Sequence, residues 1–290
     1  MKLLFFRGEH GAHVSVPTDD GLVDLGRARE IFDSSTDWSR LSERLAPAFE
    51  RAQATRASRR SEADVVLEPC LPVVGKIVCV GLNYRRHAME TGAQIPEVPI
   101  LFSKYANTLA AHRQEIAIPA ETAQADYEVE LAVVLGRQAR RVPIDRALEY
   151  VAGYCVANDL SARDLQNRTS QWMLGKTLDG FLPLGPYLVT ADEVANPQNL
   201  GLRCHVNGQK RQDSNTSDMV FSVAEIVSYA SHYMTLDPWD LIITGTPEGV
   251  ILGMPEPRPW LQPGDVVAVG VDGLGRLENR LIVDAGRQSE

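Results

Sequence analysis

Short runs of alternating apolar and polar residues dominate the chain, and only a few stretches change to helical spacing. At the start, Lys2–Phe6, His13–Val16 and Leu22–Asp24 read as strands, separated by turn-rich Gly8, Gly11, Asp19, Asp20 and Gly21. Asp37 then reads as an N-cap, with Leu41, Leu45, Ala48 and Phe49 at helical spacing behind it. From Ile77 onward the strands multiply: Ile77–Val80, Ile100–Ser103, Ile116–Ile118, Tyr127–Leu135, Gly153–Ala157, Leu202–Val206, Leu241–Thr244 and Val266–Val271. Helices are expected chiefly near Tyr84–Thr91, Ile144–Val151 and Val223–Met234. Strands outnumber helices without strict alternation, which argues against a doubly wound sheet or a TIM barrel and for a β-rich α+β fold. Pro69 and Pro72 interrupt the pattern, so a small N-terminal α/β domain (1–70) is expected before a larger catalytic domain (71–290).

Composition narrows the class. With 290 residues, 44% hydrophobic and 23% charged, the chain has enough core to fold without disulfides or a structural metal. A net charge of −9 makes a poor general nucleic-acid binder, although it does not exclude a small anionic substrate. Arg51, Arg56, Arg59 and Arg60 read as a solvated helix end or linker rather than a phosphate site. Cys70, Cys79, Cys155 and Cys204 form no C-x-x-C pair and suggest buried thiols in a reducing compartment. No apolar run is long enough to span a bilayer, and the opening Leu3-Leu4-Phe5-Phe6 is too short for a secretory h-region. The expectation is a cytoplasmic protein. There is no G-x-G-x-x-G opening a helix, no P-loop and no G-x-S-x-G.

The richest segment chemically is Asp126-Tyr127-Glu128-Val129-Glu130-Leu131-Ala132-Val133-Val134-Leu135. As a strand it puts Tyr127, Val129, Leu131, Val133 and Leu135 on one face; the other carries Glu128, Glu130, Ala132 and Val134. If both faces are covered, the glutamates need a cation or hydrogen bonds, and two carboxylates at i and i+2 suit a hard divalent ion. The competing reading is an edge strand with a wet face. Asp159, at the end of the apolar run 151–157, is either a third ligand or the N-cap of the next helix. Three carboxylates and waters would suit Mg²⁺ or Mn²⁺. His87 and Glu90 share a helix face, as an oriented general base or a plain surface pair. Lys176, in a Gly-flanked loop, would bind a substrate oxyanion or simply snorkel. Thr246, in the turn Thr244–Val250, would hold a carboxylate or only close the turn.

Ten runs occur together and in order: Gly81–Glu90, Phe102–Lys104, Asp126–Glu130, Gly153–Asp159, Ser161–Gln166, Gly175–Lys176, Pro183–Pro186, Val206–Gly208, Asn215–Met219 and Thr244–Pro247. Over about residues 70 to 285 the chain thereby resembles the fumarylacetoacetate hydrolase superfamily. The resemblance implies a mixed β-sandwich roll, usually homodimeric. By position it puts the metal ligands at Glu128, Glu130 and Asp159, and a catalytic His87–Glu90 dyad on a mobile lid helix. It also implies catalytic Lys176 and substrate contacts at Gln166 and Thr246, with Tyr84 and Arg163 completing that set. The chain departs from the family at Arg86, where many relatives are acidic, and at Ala110-Ala111-His112-Arg113, where many are Gly-Pro-Gly-like.

The implied substrates are 2-oxo and β-diketo acids, with Mg²⁺ or Mn²⁺ as Lewis acid. The intact His–Glu pair favours hydrolysis of a C–C bond in an acylpyruvate- or fumarylpyruvate-like substrate. The alternatives are decarboxylation of oxaloacetate, isomerisation of a 5-carboxymethyl-2-hydroxymuconate type, and hydrolysis of a diketo sugar acid. A catalytically inactive metal-binding paralogue is the reading from another class.

Overall fold

The computed structural model describes residues 1–55, 59–71, 73 and 75–284. Arg56 of the arginine run and Pro72 of the expected boundary lie outside them. Two sheets carry the fold, in agreement with the β-rich α+β reading. The nine-stranded sheet has Val129–Leu135, whose seven residues are all buried, in its interior. On one side, Val129–Leu135 pairs antiparallel with Val151–Asn158, which continues through Tyr187–Thr190 to Lys2–Gly8, Gly11–Thr18 and Gly21–Arg27. On the other side come Leu241–Ile243, Ile77–Gly81 and the edge strand Ile100–Lys104. The five-stranded sheet runs Gln209–Asn215, Gly201–Val206, Val266–Val271, Gly275–Val283 and Ile116–Ile118.

The alternation along Val129–Leu135 divides the core. Val129, Leu131, Val133 and Leu135 pack with Leu202, Cys204, Val269 and Leu277 of the second sheet. Ala132 and Val134 face the opposite way, against Leu3, Phe5, Leu41, Leu45 and Trp239. Both faces are therefore covered, and a wet glutamate edge is excluded: Glu128 and Glu130 are 5% and 2% exposed. The four cysteines are buried and unbridged.

Some local expectations shift. Asp37 does not cap the helix Leu41–Ala54, whose N-cap is Arg40; its carboxylate instead accepts from the Ser39 N–H at 2.9 Å. The strands Tyr187–Thr190, Gln209–Asn215 and Gly275–Val283 were not expected. Gln209–Asn215 is polar along its length because it is a solvated sheet edge, so it carries no alternation to detect. No helix among the described residues is long and apolar enough to cross a membrane.

Candidate active site

Strand register assembles the carboxylates. Ala157 pairs with Glu130 and Asn158 with Val129, and the Asp159 N–H continues the ladder to the Glu128 carbonyl at 2.9 Å. Side chains alternate along strands, so Glu128, Glu130 and Asp159 share one face of the pair. They offer oxygens within 4.8 Å of one another, and all three are buried.

Three cations meet this cluster. Lys176 Nζ bridges Glu128 Oε2 at 2.8 Å and Asp159 Oδ2 at 2.7 Å. Lys104 Nζ reaches Asp159 Oδ1 at 2.6 Å and the Leu160 carbonyl at 3.1 Å. Arg163 donates to Glu128 Oε1 at 2.6 Å, Asp126 Oδ2 at 2.9 Å and Gln166 Oε1 at 2.9 Å. The Lys176 ammonium is therefore not a snorkelling surface group, and Asp159 is not a cap, because Ala162 holds the N-cap position of the helix Arg163–Gln166.

Electrostatics separate the two glutamates. Burial works to raise the Glu128 carboxyl, but Lys176 and Arg163 overcome it and hold the group at about 2. Burial, then repulsion from Asp159 and Glu128, pushes Glu130 well above the usual carboxylate range. Burial also opposes charge on Lys176, but Asp159 and Glu128 outweigh it and keep the ammonium protonated. For Lys104 burial prevails, and its pKa falls despite Asp159.

These groups fit a divalent cation. The donors are all oxygen, as a hard ion prefers. The only hydrogen bond described for the Glu130 carboxylate is the Gly245 N–H at 2.6 Å, so this buried group has room for a cation partner. Gly245 must be glycine here. Its φ is +95°, and a Cβ would lie 2.8 Å from Asn83 Cβ and 2.9 Å from the Val80 carbonyl.

The short helix Arg85–Glu90 carries the candidate base, His87. His87 Nδ1 lies 2.9 Å from Glu90 Oε1, and Glu90 Oε2 accepts the Gly249 N–H at 2.9 Å. With Nδ1 engaged, Nε2 remains available for proton transfer. Asn83 anchors the entry to this helix through the Phe221 and Thr244 carbonyls at 3.1 and 2.7 Å.

His87, Glu128, Glu130, Arg163, Gln166, Lys176 and Thr246 line one cavity of about 200 Å³. Gln212 donates to the Thr246 hydroxyl at 2.9 Å, which fixes that rotor. Two members of the expected substrate set sit differently. Arg163 reaches the cavity wall with its guanidinium already committed to Asp126, Glu128 and Gln166. Tyr84 is wholly buried outside the lining, and its hydroxyl lacks a hydrogen-bond partner among the described residues; burial and then Glu130 raise its pKa. Neither departure from the resemblance lines the cavity. Arg86 points to Glu248 and Asp218, while Ala110–Arg113 lies against Glu278, whose N–H donates to His112 Nδ1 at 2.9 Å.

Sequence reasoning assigned no role to Lys104, Asp126 or Gln212. Lys104 continues the half-buried face of Ile100 and Phe102 along a strand, and a lysine in line with those two apolar residues was a legible signal. Asp126 accepts the N–H groups of Ile251 and Leu252 at 2.9 and 3.0 Å as well as Arg163, and so ties the loop after Gly249 to the cluster. Nothing in the sequence marks Gln212, whose burial comes from the opposite sheet.

Residues 76–282 match the model for the fumarylacetoacetate (FAA) hydrolase C-terminal family. The chain belongs to this family. Among FAA hydrolase relatives it is similar to the mitochondrial oxaloacetate tautomerase FAHD2A of Bos taurus: 37% identical over 289 residues, 97% of this chain and 92% of that protein. It is also similar to a 5-carboxymethyl-2-hydroxymuconate delta-isomerase from Mycobacterium smegmatis, 33% identical with a TM-score of 0.77 over 98% of this chain and 100% of that one. A fumarylpyruvate hydrolase from Pseudomonas aeruginosa, solved with Mn²⁺ and pyruvate, is 36% identical with a TM-score of 0.67, covering 73% of this chain and 91% of that one.

These FAA hydrolase relatives correct one expectation. The cytoplasmic assignment is overturned, because the relative matching nearly the whole chain, and its human counterpart, are mitochondrial by name. Scattered buried cysteines distinguish reducing from oxidising surroundings, but they do not distinguish the cytoplasm from other reducing compartments.

Proposed function

We propose that this protein is a divalent-metal-dependent isomerase of short 2-oxo acids, catalysing keto–enol interconversion of a substrate such as oxaloacetate. One observation carries the reading: an oriented base, His87, opens on the same small cavity as Lys176 and as Glu128 and Glu130 of the buried carboxylate triad. At about 200 Å³ the cavity is below the roughly 300–1,000 Å³ of pockets for drug-sized ligands, which suits a four-carbon diacid. The oxaloacetate tautomerase relative, matched along 97% of this chain, supports the same choice.

Glu128, Glu130 and Asp159 would hold Mg²⁺ or Mn²⁺, which when bound supplies a Lewis acid for the substrate's oxo and carboxylate oxygens. His87, oriented by Glu90, removes a proton from the carbon beside the oxo group. The proton taken up by His87 is returned to the oxo oxygen, so the step balances without water or a leaving group. The Lys176 ammonium faces the developing enolate charge. Gln166 and the fixed Thr246 hydroxyl offer hydrogen bonds to a substrate carboxylate. The active unit in this reading is a homodimer, to be checked by light scattering.

C–C hydrolysis, the reaction first favoured by the intact His–Glu pair, is the second reading. It keeps support from the fumarylpyruvate hydrolase likeness, but it also requires a held water and space for an acyl group. Dilution of enol-oxaloacetate into buffer with Mg²⁺ or Mn²⁺ decides between them through the ultraviolet absorbance of the enol. The expected result is loss of the enol faster than the spontaneous rate, abolished by EDTA. Failure to accelerate it, together with release of pyruvate from an acylpyruvate, would replace isomerisation by hydrolysis.

A further inference from the structure

The cavity has an aromatic wall to which neither the metal ligands nor the base assigns a purpose. Trp172 lines it, and its ring lies against Gly81, at the end of the strand Ile77–Gly81. A Cβ built on Gly81 would stand 2.5 Å from Trp172 Cζ3 and 2.8 Å from Cη2, so the indole occupies the space a side chain at 81 would need. Phe102, on the neighbouring strand, backs the indole edge-on, with ring centroids 5.3 Å apart at 78°. Lys176 Nζ lies 5.4 Å from the centroid of the same Phe102 ring. The wall is thus in register with the catalytic lysine.

The backbone holds this arrangement. Trp172 is the N-cap of the short helix Met173–Lys176, and its carbonyl accepts the Gly175 N–H at 3.0 Å. Gly175 packs so closely on Ala162 and Gln166 that a Cβ would lie 2.4–2.5 Å from them. The turn cannot slide outward without taking Lys176 with it.

Resting on the 2-oxo acid reading above, we propose that Trp172 is the specificity-determining residue of this site: its ring, seated on Gly81 and backed by Phe102, limits the length of the group attached to the 2-oxo acid. Short 2-oxo acids fit beside Lys176, and longer acyl or aryl tails meet the indole. Hydrophobic walls discriminate about 10–200-fold per added or missing methylene, so one aromatic wall suffices to separate short from long substrates.

The test is calorimetric binding in Mg²⁺ buffer of pyruvate, 2-oxobutyrate, 2-oxohexanoate and phenylpyruvate to the wild type, Trp172→Ala and Trp172→Phe. The wild type is expected to lose affinity steadily along the series. Trp172→Ala should bind phenylpyruvate at least about 10-fold more tightly than the wild type does, with pyruvate within a few-fold. Trp172→Phe, which keeps an aromatic packing partner for Phe102, should lie between them and guards against a folding defect in the alanine variant. Equal binding of all four acids by the wild type, or an unchanged profile in both variants, would overturn the proposal and leave the functional reading standing. Failure of all proteins to bind any 2-oxo acid would overturn the functional reading and this proposal with it.

Discussion

Lys176 and Arg86 are both cations set between two carboxylates, yet they lie in different surroundings. Lys176 is 2% exposed and bridges Glu128 and Asp159, each within 2.8 Å. Arg86, on the helix Arg85–Glu90, is 48% exposed and reaches Glu248 at 3.1 Å and Asp218 at 3.6 Å. A buried pair gains strong Coulomb attraction only after a large desolvation cost, so removing one member leaves a charge stranded. An exposed pair is screened and is worth about 0–1 kcal/mol. The carboxylate cluster is therefore intolerant of a lost partner, whereas the Arg86 pairs contribute little to holding the helix Arg85–Glu90.

The comparison breaks most severely at Lys176. Lys176→Met should destabilise the protein by about 3–5 kcal/mol in chemical denaturation, because Glu128 and Asp159 lose their shared ammonium. Turnover should fall by at least about 10²–10³. His87→Ala alters the helix Arg85–Glu90 instead. It should slow enol-to-keto conversion by about 10²–10⁴ while metal affinity, read by calorimetry, stays close to wild type.

Acid titration beside a Glu128 variant probes the buried side. Glu128 is held at about 2 against its ordinary 4.5. Between these values the unfolded chain binds a proton that the folded chain does not, so this contribution to stability is fully present above pH 4.5 and is lost as pH falls toward 2. Denaturation midpoints across this range should fall more steeply for the wild type than for Glu128→Gln. Arg86→Ala gives the smallest effect: stability within about 1 kcal/mol of wild type, and an apparent KM changed by only a few-fold. A loss of several kcal/mol there would mean that the Arg86 pairs are not screened as exposed pairs are.

How much of this the sequence discloses follows the same division. The apolar run Val129–Leu135 made a strand legible, but Glu128 and Glu130 read equally as a cation site or a wet edge until a third carboxylate and the family resemblance joined them. Asp159 could be joined to them because it ends the neighbouring apolar run, which strand pairing brings opposite Glu128. The compensating charges were less legible. Lys104 arrives from the edge strand Ile100–Lys104, and Arg163 is turned inward by Asp126; both placements depend on long-range packing. Trp172 reads as one aromatic in a polar stretch until Gly81 is seen beneath it. The polar edge Gln209–Asn215 hides both a strand and the buried Gln212 that holds Thr246.

The central claim is that Glu128, Glu130 and Asp159 form one divalent-cation site governed by the otherwise weakly compensated Glu130. Titration of the metal-stripped protein with Mn²⁺, beside Glu130→Gln, tests it most directly. The account predicts one ion bound per chain in the wild type and an affinity at least about 10-fold weaker in the variant, since a neutral amide cannot replace the carboxylate on a hard cation. Equal Mn²⁺ affinity and stoichiometry in the two proteins would contradict it.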